Sequence, residues 1–150
     1  MPPRFPLALL PTPLVEAPRL ARILGGPRIL IKRDDLTGFG FGGNKVRGLE
    51  YYLADALEKQ ADVIITGAGP QSNHIRATAA AARAAGLDVV AVMHDSRPAA
   101  TQGNLLLDEL LGAEVRFTGD PNRASVDTMI AEVADELRLA GRRPYVIPRG

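Results

Sequence analysis

The chain has 150 residues, 46% of them hydrophobic and 23% charged, which fits one globular domain able to bury about 68–70% of its unfolded surface. Lys and Arg number 18 against 17 Asp and Glu, for a net charge of +1 without a dense basic block; nucleic acid is therefore not an expected partner, and the apolar runs are far too short to span a bilayer. With no cysteine and two histidines, disulfides, thiolate metal sites and cysteine nucleophiles are excluded, and the chemistry falls to Lys, Ser, Asn, Tyr or carboxylates.

In chain order, the opening MPPRFPLALLPTPL is cut by five prolines and followed by no cleavage-site pattern. It reads as an extended arm on the domain surface, and the protein as cytoplasmic. Ala17 to Leu24 has helical spacing and ends at Gly25-Gly26, a glycine C-cap. The run Arg28 to Lys32 reads as a strand, and Arg33-Asp34-Asp35 as a capped turn, not a metal pair. The GFGFGG loop, Gly38 to Gly43, carries little side-chain bulk and leads into Asn44-Lys45.

Leu49, Tyr52, Leu53, Ala56 and Leu57 then fall on one helical stripe running to Lys59. Four strand candidates follow: Val63 to Thr66, Val89 to Met93, Glu114 to Phe117 and Tyr145 to Ile147. Between them lie helical segments Ser72 to Ala85, Asn104 to Leu111 and Asn122 to Ala140, stopped by Gly86, Gly112 and Gly141. Strand and helix alternating in this way predict an α/β fold with a parallel sheet, right-handed crossovers and flanking helices. The boundary between a leading segment, 1–47, and a small α/β domain, 48–150, is placed near Gly48.

Ligands of an open parallel sheet bind beyond the carboxyl ends of its strands. Two loops qualify. In Gly42-Gly43-Asn44-Lys45 a lysine opens a helix, where the dipole disfavours a cation; it is either a Schiff-base amine or a solvated side chain. In Thr66-Gly67-Ala68-Gly69-Pro70-Gln71-Ser72-Asn73-His74 small residues precede a helix start whose free N–H groups can hold a carboxylate or phosphate, although Ser and Asn also serve as ordinary N-caps. A dinucleotide site is disfavoured, because Ser72 stands where GxGxxG needs its third glycine and Asp95 lies past the second strand. His94-Asp95 reads as a polar strand end. His74 is a ligand or a packed partner. Of Tyr51 and Tyr52, at most one faces a site.

The strings PTPL, IKRDDLTGFGFGGNKVRGLEY, GPQSNHIRATAAAA, GNLLLDELLGAEV and RPYVIPRG together resemble the N-terminal half of the pyridoxal-phosphate enzymes typified by D-cysteine desulfhydrase and aminocyclopropane-carboxylate deaminase. The resemblance spans Pro11 to Gly150, and the pairing of GGNK with QSN is its most specific part. It implies a tryptophan-synthase-β type fold, with residues 1–47 belonging to the large domain. It implies that Lys45 forms the Schiff base with pyridoxal 5'-phosphate beside Asn44, and that Asn73 bonds the phenolic oxygen of the cofactor. Ser72, with Gln71 and nearby N–H groups, would receive the carboxylate of a small amino acid, with His74 at the substrate.

The implied reaction is β-elimination to a 2-oxo acid and ammonia. His74 after Ser72-Asn73 leans it towards D-cysteine, since the deaminase branch usually carries glutamine there. Aminocyclopropane-carboxylate deamination and β-replacement are the alternatives within this chemistry; a non-catalytic α/β binding module is the alternative outside it. Pro70 departs from the aliphatic residue common in the family. Family members continue well past the equivalent of Gly150, and the expectation is that a further half supplies the phosphate cup and completes a homodimer.

Overall fold

A computed structural model describes residues 2–149; Met1, at the start of the expected arm, and Gly150 lie outside the described residues. The first described residues form an extended arm, several of whose N–H groups are taken by Glu50. Phe5 N–H donates to the Glu50 carbonyl at 2.9 Å, and the N–H groups of Leu7 and Ala8 donate to Glu50 Oε1 at 2.8 and 2.9 Å. Strands β1 (Leu14–Glu16) and β2 (Leu30–Lys32) pair antiparallel around helix α1 (Pro18–Leu24), which ends on Gly25 in the left-handed conformation. A short 3-10 turn, Asp34–Leu36, follows.

The body is an α/β unit: α2 (Lys45–Glu58), β3 (Val63–Ala68), α3 (Asn73–Ala84), β4 (Asp88–Met93), α4 (Gly103–Leu110), β5 (Glu114–Phe117), α5 (Ser125–Leu139) and β6 (Pro144–Val146). All four strands are parallel, in the order β5-β4-β3-β6. The central strands are near-continuous apolar runs because helices cover both faces. Ile64 and Val89 pack with Leu49, Leu53 and Ala56 of α2 and the alanines of α3. Val63, Ile65, Val90 and Val92 point the other way, onto Val126, Ile130 and Val133 of α5. Ala91 and Met93 close a third cluster with Ile75 and Leu105 of α4.

Gly67 is required by this packing. A Cβ there would lie 2.7 Å from the Val92 carbonyl oxygen and inside van der Waals contact of the Val126 side chain, so only glycine lets α5 approach β3 this closely. Among the described residues no helix is long and apolar enough to cross a membrane.

The expected elements are present, with shifted ends. Helix α2 starts at Lys45, one turn before its apolar stripe, and passes through Gly48 without a break. Helix α5 starts at Ser125, not Asn122: Asn122 N–H donates to Asp120 Oδ1 at 2.8 Å and its own side chain accepts from Ala124 N–H at 3.0 Å. These side-chain turns occupy the residues that the helical pattern would have claimed.

Candidate active site

Lys45 is delivered by a loop of unusual backbone. Gly38, Gly40, Gly42 and Gly43 all have positive φ, and so does Phe41 at 68°. At Gly42 the conformation combines φ 77° with an approach so close that a Cβ would overlap the Asp35 carbonyl oxygen; no other residue fits. The loop is bonded back to the turn before it: Gly43 N–H donates to the Asp34 carbonyl at 2.8 Å, and Thr37 Oγ1 donates to the Gly43 carbonyl at 3.1 Å. Arg33 pairs with Asp35, while Asp34 is held by Arg47 and Thr12, so the acidic pair serves ion pairs and a turn. Lys45 itself is exposed and makes no hydrogen bond or ion pair among the described residues.

Ser72 is the N-cap of α3. Its Oγ accepts from the N–H groups of His74 and Ile75 at 3.1 and 3.4 Å, and its carbonyl takes Arg76 N–H at 3.3 Å. Of the four N–H groups that a helix start leaves open, that of Asn73 remains. Asn73 Oδ1 accepts from Asn104 Nδ2 at 3.0 Å, so its own amide is free to donate outward. Gln71 is committed elsewhere. Its side chain donates to the Gln102 carbonyl at 3.1 Å and accepts from Asn104 N–H at 2.9 Å, tying the loop to the start of α4.

His74 is buried with its Nε2 3.0 Å from Thr66 Oγ1, which in turn donates to the Ile147 carbonyl at 3.2 Å. A hydroxyl has one proton, so Nε2 carries the imidazole proton and donates. Burial holds the His74 pKa below the ordinary histidine value, and the nearby Lys45 charge lowers it further.

A cleft of about 270 Å³ is lined by Asn44, Lys45, Tyr52, His74 and Arg149. A larger one of about 1150 Å³, at the carboxyl ends of β3 and β4, is lined by Gly69 to Ser72, His94, Asp95, Arg123 and Arg149. Arg149 borders both. Asn44, Lys45 and His74 thus share one cleft and Gln71 and Ser72 the other, while Asn73 lines neither. Tyr52 lines the lysine cleft, and Tyr51 lines neither cleft. Sequence reasoning missed Thr66 and Arg149. A lone threonine in the apolar run Val-Ile-Ile-Thr was the available signal for the first; Arg149 had none.

The family described as "Pyridoxal-phosphate dependent enzyme" matches residues 6–150. A Pyrococcus horikoshii protein provisionally named 1-aminocyclopropane-1-carboxylate deaminase is 44% identical over 148 residues, covering 99% of this chain and 45% of that protein. D-cysteine desulfhydrase of Salmonella paratyphi B is 42% identical over 156 residues, covering 99% and 46%. The crystal structure of an ACC deaminase homologue superposes with a TM-score of 0.90 at 44% identity, covering 98% of this chain and 44% of that one. The chain spans less than half the length of the relatives it matches. Similar in sequence and fold along nearly all of its residues, it belongs to the pyridoxal-phosphate dependent enzymes.

Proposed function

We propose that this chain is part of an enzyme that eliminates the β-substituent of a small amino acid, in the manner of D-cysteine desulfhydrase, to give a 2-oxo acid, ammonia and sulfide. In this reading residues 1–47 belong to a large cofactor domain and residues 48–150 form the small one, within a cytoplasmic homodimer. The observation that carries the reading is the shared cleft of Asn44, Lys45 and His74, the last directly following the Ser72-Asn73 helix start.

The donor set fits pyridoxal phosphate. Lys45 has an amine engaged by no carboxylate among the described residues, and Asn73 keeps a free amide donor. When bound, the cofactor supplies the electron sink. Lys45 Nζ would hold it covalently and would move a proton at the substrate α-carbon. Asn73 Nδ2 would donate to the cofactor, and Ser72 Oγ–H with Asn73 N–H would receive the substrate carboxylate at the positive end of α3. The side chain of Gln71, held by Gln102 and Asn104, acts by fixing this loop. His74, neutral and fixed through Thr66, presents its other nitrogen without adding charge beside Lys45.

Aminocyclopropane-carboxylate deamination is the second reading, supported by the 0.90 TM-score to the ACC deaminase homologue. Product analysis of the full-length protein separates them. Sulfide with pyruvate from D-cysteine is the expected result; 2-oxobutanoate from aminocyclopropane-carboxylate with D-cysteine untouched would establish the deaminase. A new β-substituted amino acid would establish β-replacement.

A further inference from the structure

Helix α4 buries Leu105 and Asp108. Asp108 is fully buried, and neither of its carboxylate oxygens has a hydrogen-bond partner among the described residues. Such a group is costly unless something opposes its charge. On α3, the neighbouring helix, Arg76 has a buried Nε that is likewise without a partner. The other end of the same guanidinium reaches the GFGFGG loop: its NH2 group donates to the Gly42 carbonyl at 3.4 Å, and its Cζ lies 5.9 Å from the centre of the Phe41 ring. Phe41 is 74% exposed at φ 68°, a conformation unfavourable for an aromatic residue and held only where its surroundings determine it. Core packing does not hold it there; the Arg76 guanidinium lies over its ring. The loop also lies flat on α3, with Gly40 against Ala77 and Ala80.

We propose that Arg76 is the positioning residue of the loop that presents Lys45. The turn at Asp34 to Thr37 pins the loop from one side, and Arg76 clamps it from the other through Phe41 and Gly42. The functional meaning of this clamp rests on Lys45 being the cofactor lysine.

Peptide-resolved hydrogen exchange on the full-length protein, with and without pyridoxal phosphate, tests this. Arg76→Gln should raise exchange across residues 38–44 at least about threefold at fixed pH, the scale of one lost hydrogen bond, with β3 and β4 unchanged. Arg76→Lys, which keeps the charge and loses the planar fork, should recover only part of the protection. Wild-type loop exchange in Arg76→Gln overturns the proposal. Should Arg76→Gln not fold, Phe41→Leu is read in its place: raised loop exchange supports the clamp, and unchanged exchange overturns it. Borohydride fixation of pyridoxal phosphate, mapped by mass, checks the underlying reading separately. A label away from Lys45 would remove the cofactor role while the exchange result stood.

Discussion

Asp34 receives the Arg47 guanidinium on both carboxylate oxygens, at 2.6 and 2.9 Å, joining the 3-10 turn to the first turn of α2 two residues beyond Lys45. Bidentate pairs of this kind fix geometry as well as contributing energy. The hydrogen bond from Arg47 holds Asp34 below the usual carboxylate range, with Thr12 and the Arg47 and Lys32 charges acting in the same direction. Because the folded value is depressed, the pair stabilises fully above the ordinary carboxylate range, and that contribution is lost as pH falls through the depressed value. Asp34→Asn should therefore lower the urea midpoint near neutrality and flatten its fall on acidification. A wild-type acid limb in the variant would show that the pair contributes nothing.

Ser72→Ala removes two things at once. The cap on His74 and Ile75 N–H is lost, at a cost of about 1 kcal/mol in unfolding free energy, and so is the hydroxyl donor to the substrate carboxylate. Ser72→Thr keeps both. The expected pattern is a raised KM in the alanine variant, with cofactor absorbance retained, and near-wild-type behaviour in the threonine variant. Cofactor loss in Ser72→Ala would move Ser72 from the substrate to the cofactor.

Lys45→Ala should abolish the Schiff-base absorbance of the loaded protein and its turnover. Lys45 is exposed and without a hydrogen bond among the described residues, so the thermal midpoint should stay near wild type. Unchanged absorbance and turnover would reject the assignment.

His74 is neutral in the fold because burial, then the Lys45 charge, lowers its pKa. The unfolded chain binds the proton more readily, so stability is complete above the ordinary histidine value and falls as pH drops below it. His74→Gln should remove this loss in urea titrations across that window. Thr66→Val leaves the imidazole N–H without its buried partner, at about 1–3 kcal/mol.

Gly67→Ala would force its methyl group against the Val92 carbonyl, 2.7 Å away, and the Val126 side chain. Backbone cannot yield as a flexible side chain does, so a loss of about 1–3 kcal/mol is expected, measured as a lower denaturation midpoint at unchanged m-value.

Local signals were legible in the chain before its fold was known. The C-terminal glycines Gly86, Gly112 and Gly141 all adopt positive φ after their helices, because a left-handed stop is written in the residue itself. The two loops that border the clefts were legible for the same reason: GGNK and QSN each carry their backbone chemistry within a few residues. Contacts between distant residues were not. The bonds that tie Gln71 to Gln102 and Asn104 cross 31 and 33 residues, and Asp108 sits in Leu-Leu-Leu-Asp-Glu-Leu as one more helical polar residue. No periodicity reveals that its side chain is fully buried.

The strand order has a consequence for the timing of assembly. Strand β3, which carries Thr66 and leads into the Ser72 cap, has β4 on one side and β6 on the other. The final link in orienting His74 is the Ile147 carbonyl, 81 residues from Thr66. During synthesis the glycine loop, the lysine and the capped helix all emerge while the β6 edge of β3 is still open. Closing that gap is a long-range pairing of the slow kind. The imidazole acquires its fixed proton only then, so the emerging chain holds Lys45, Ser72 and Asn73 before it fixes His74 beside them.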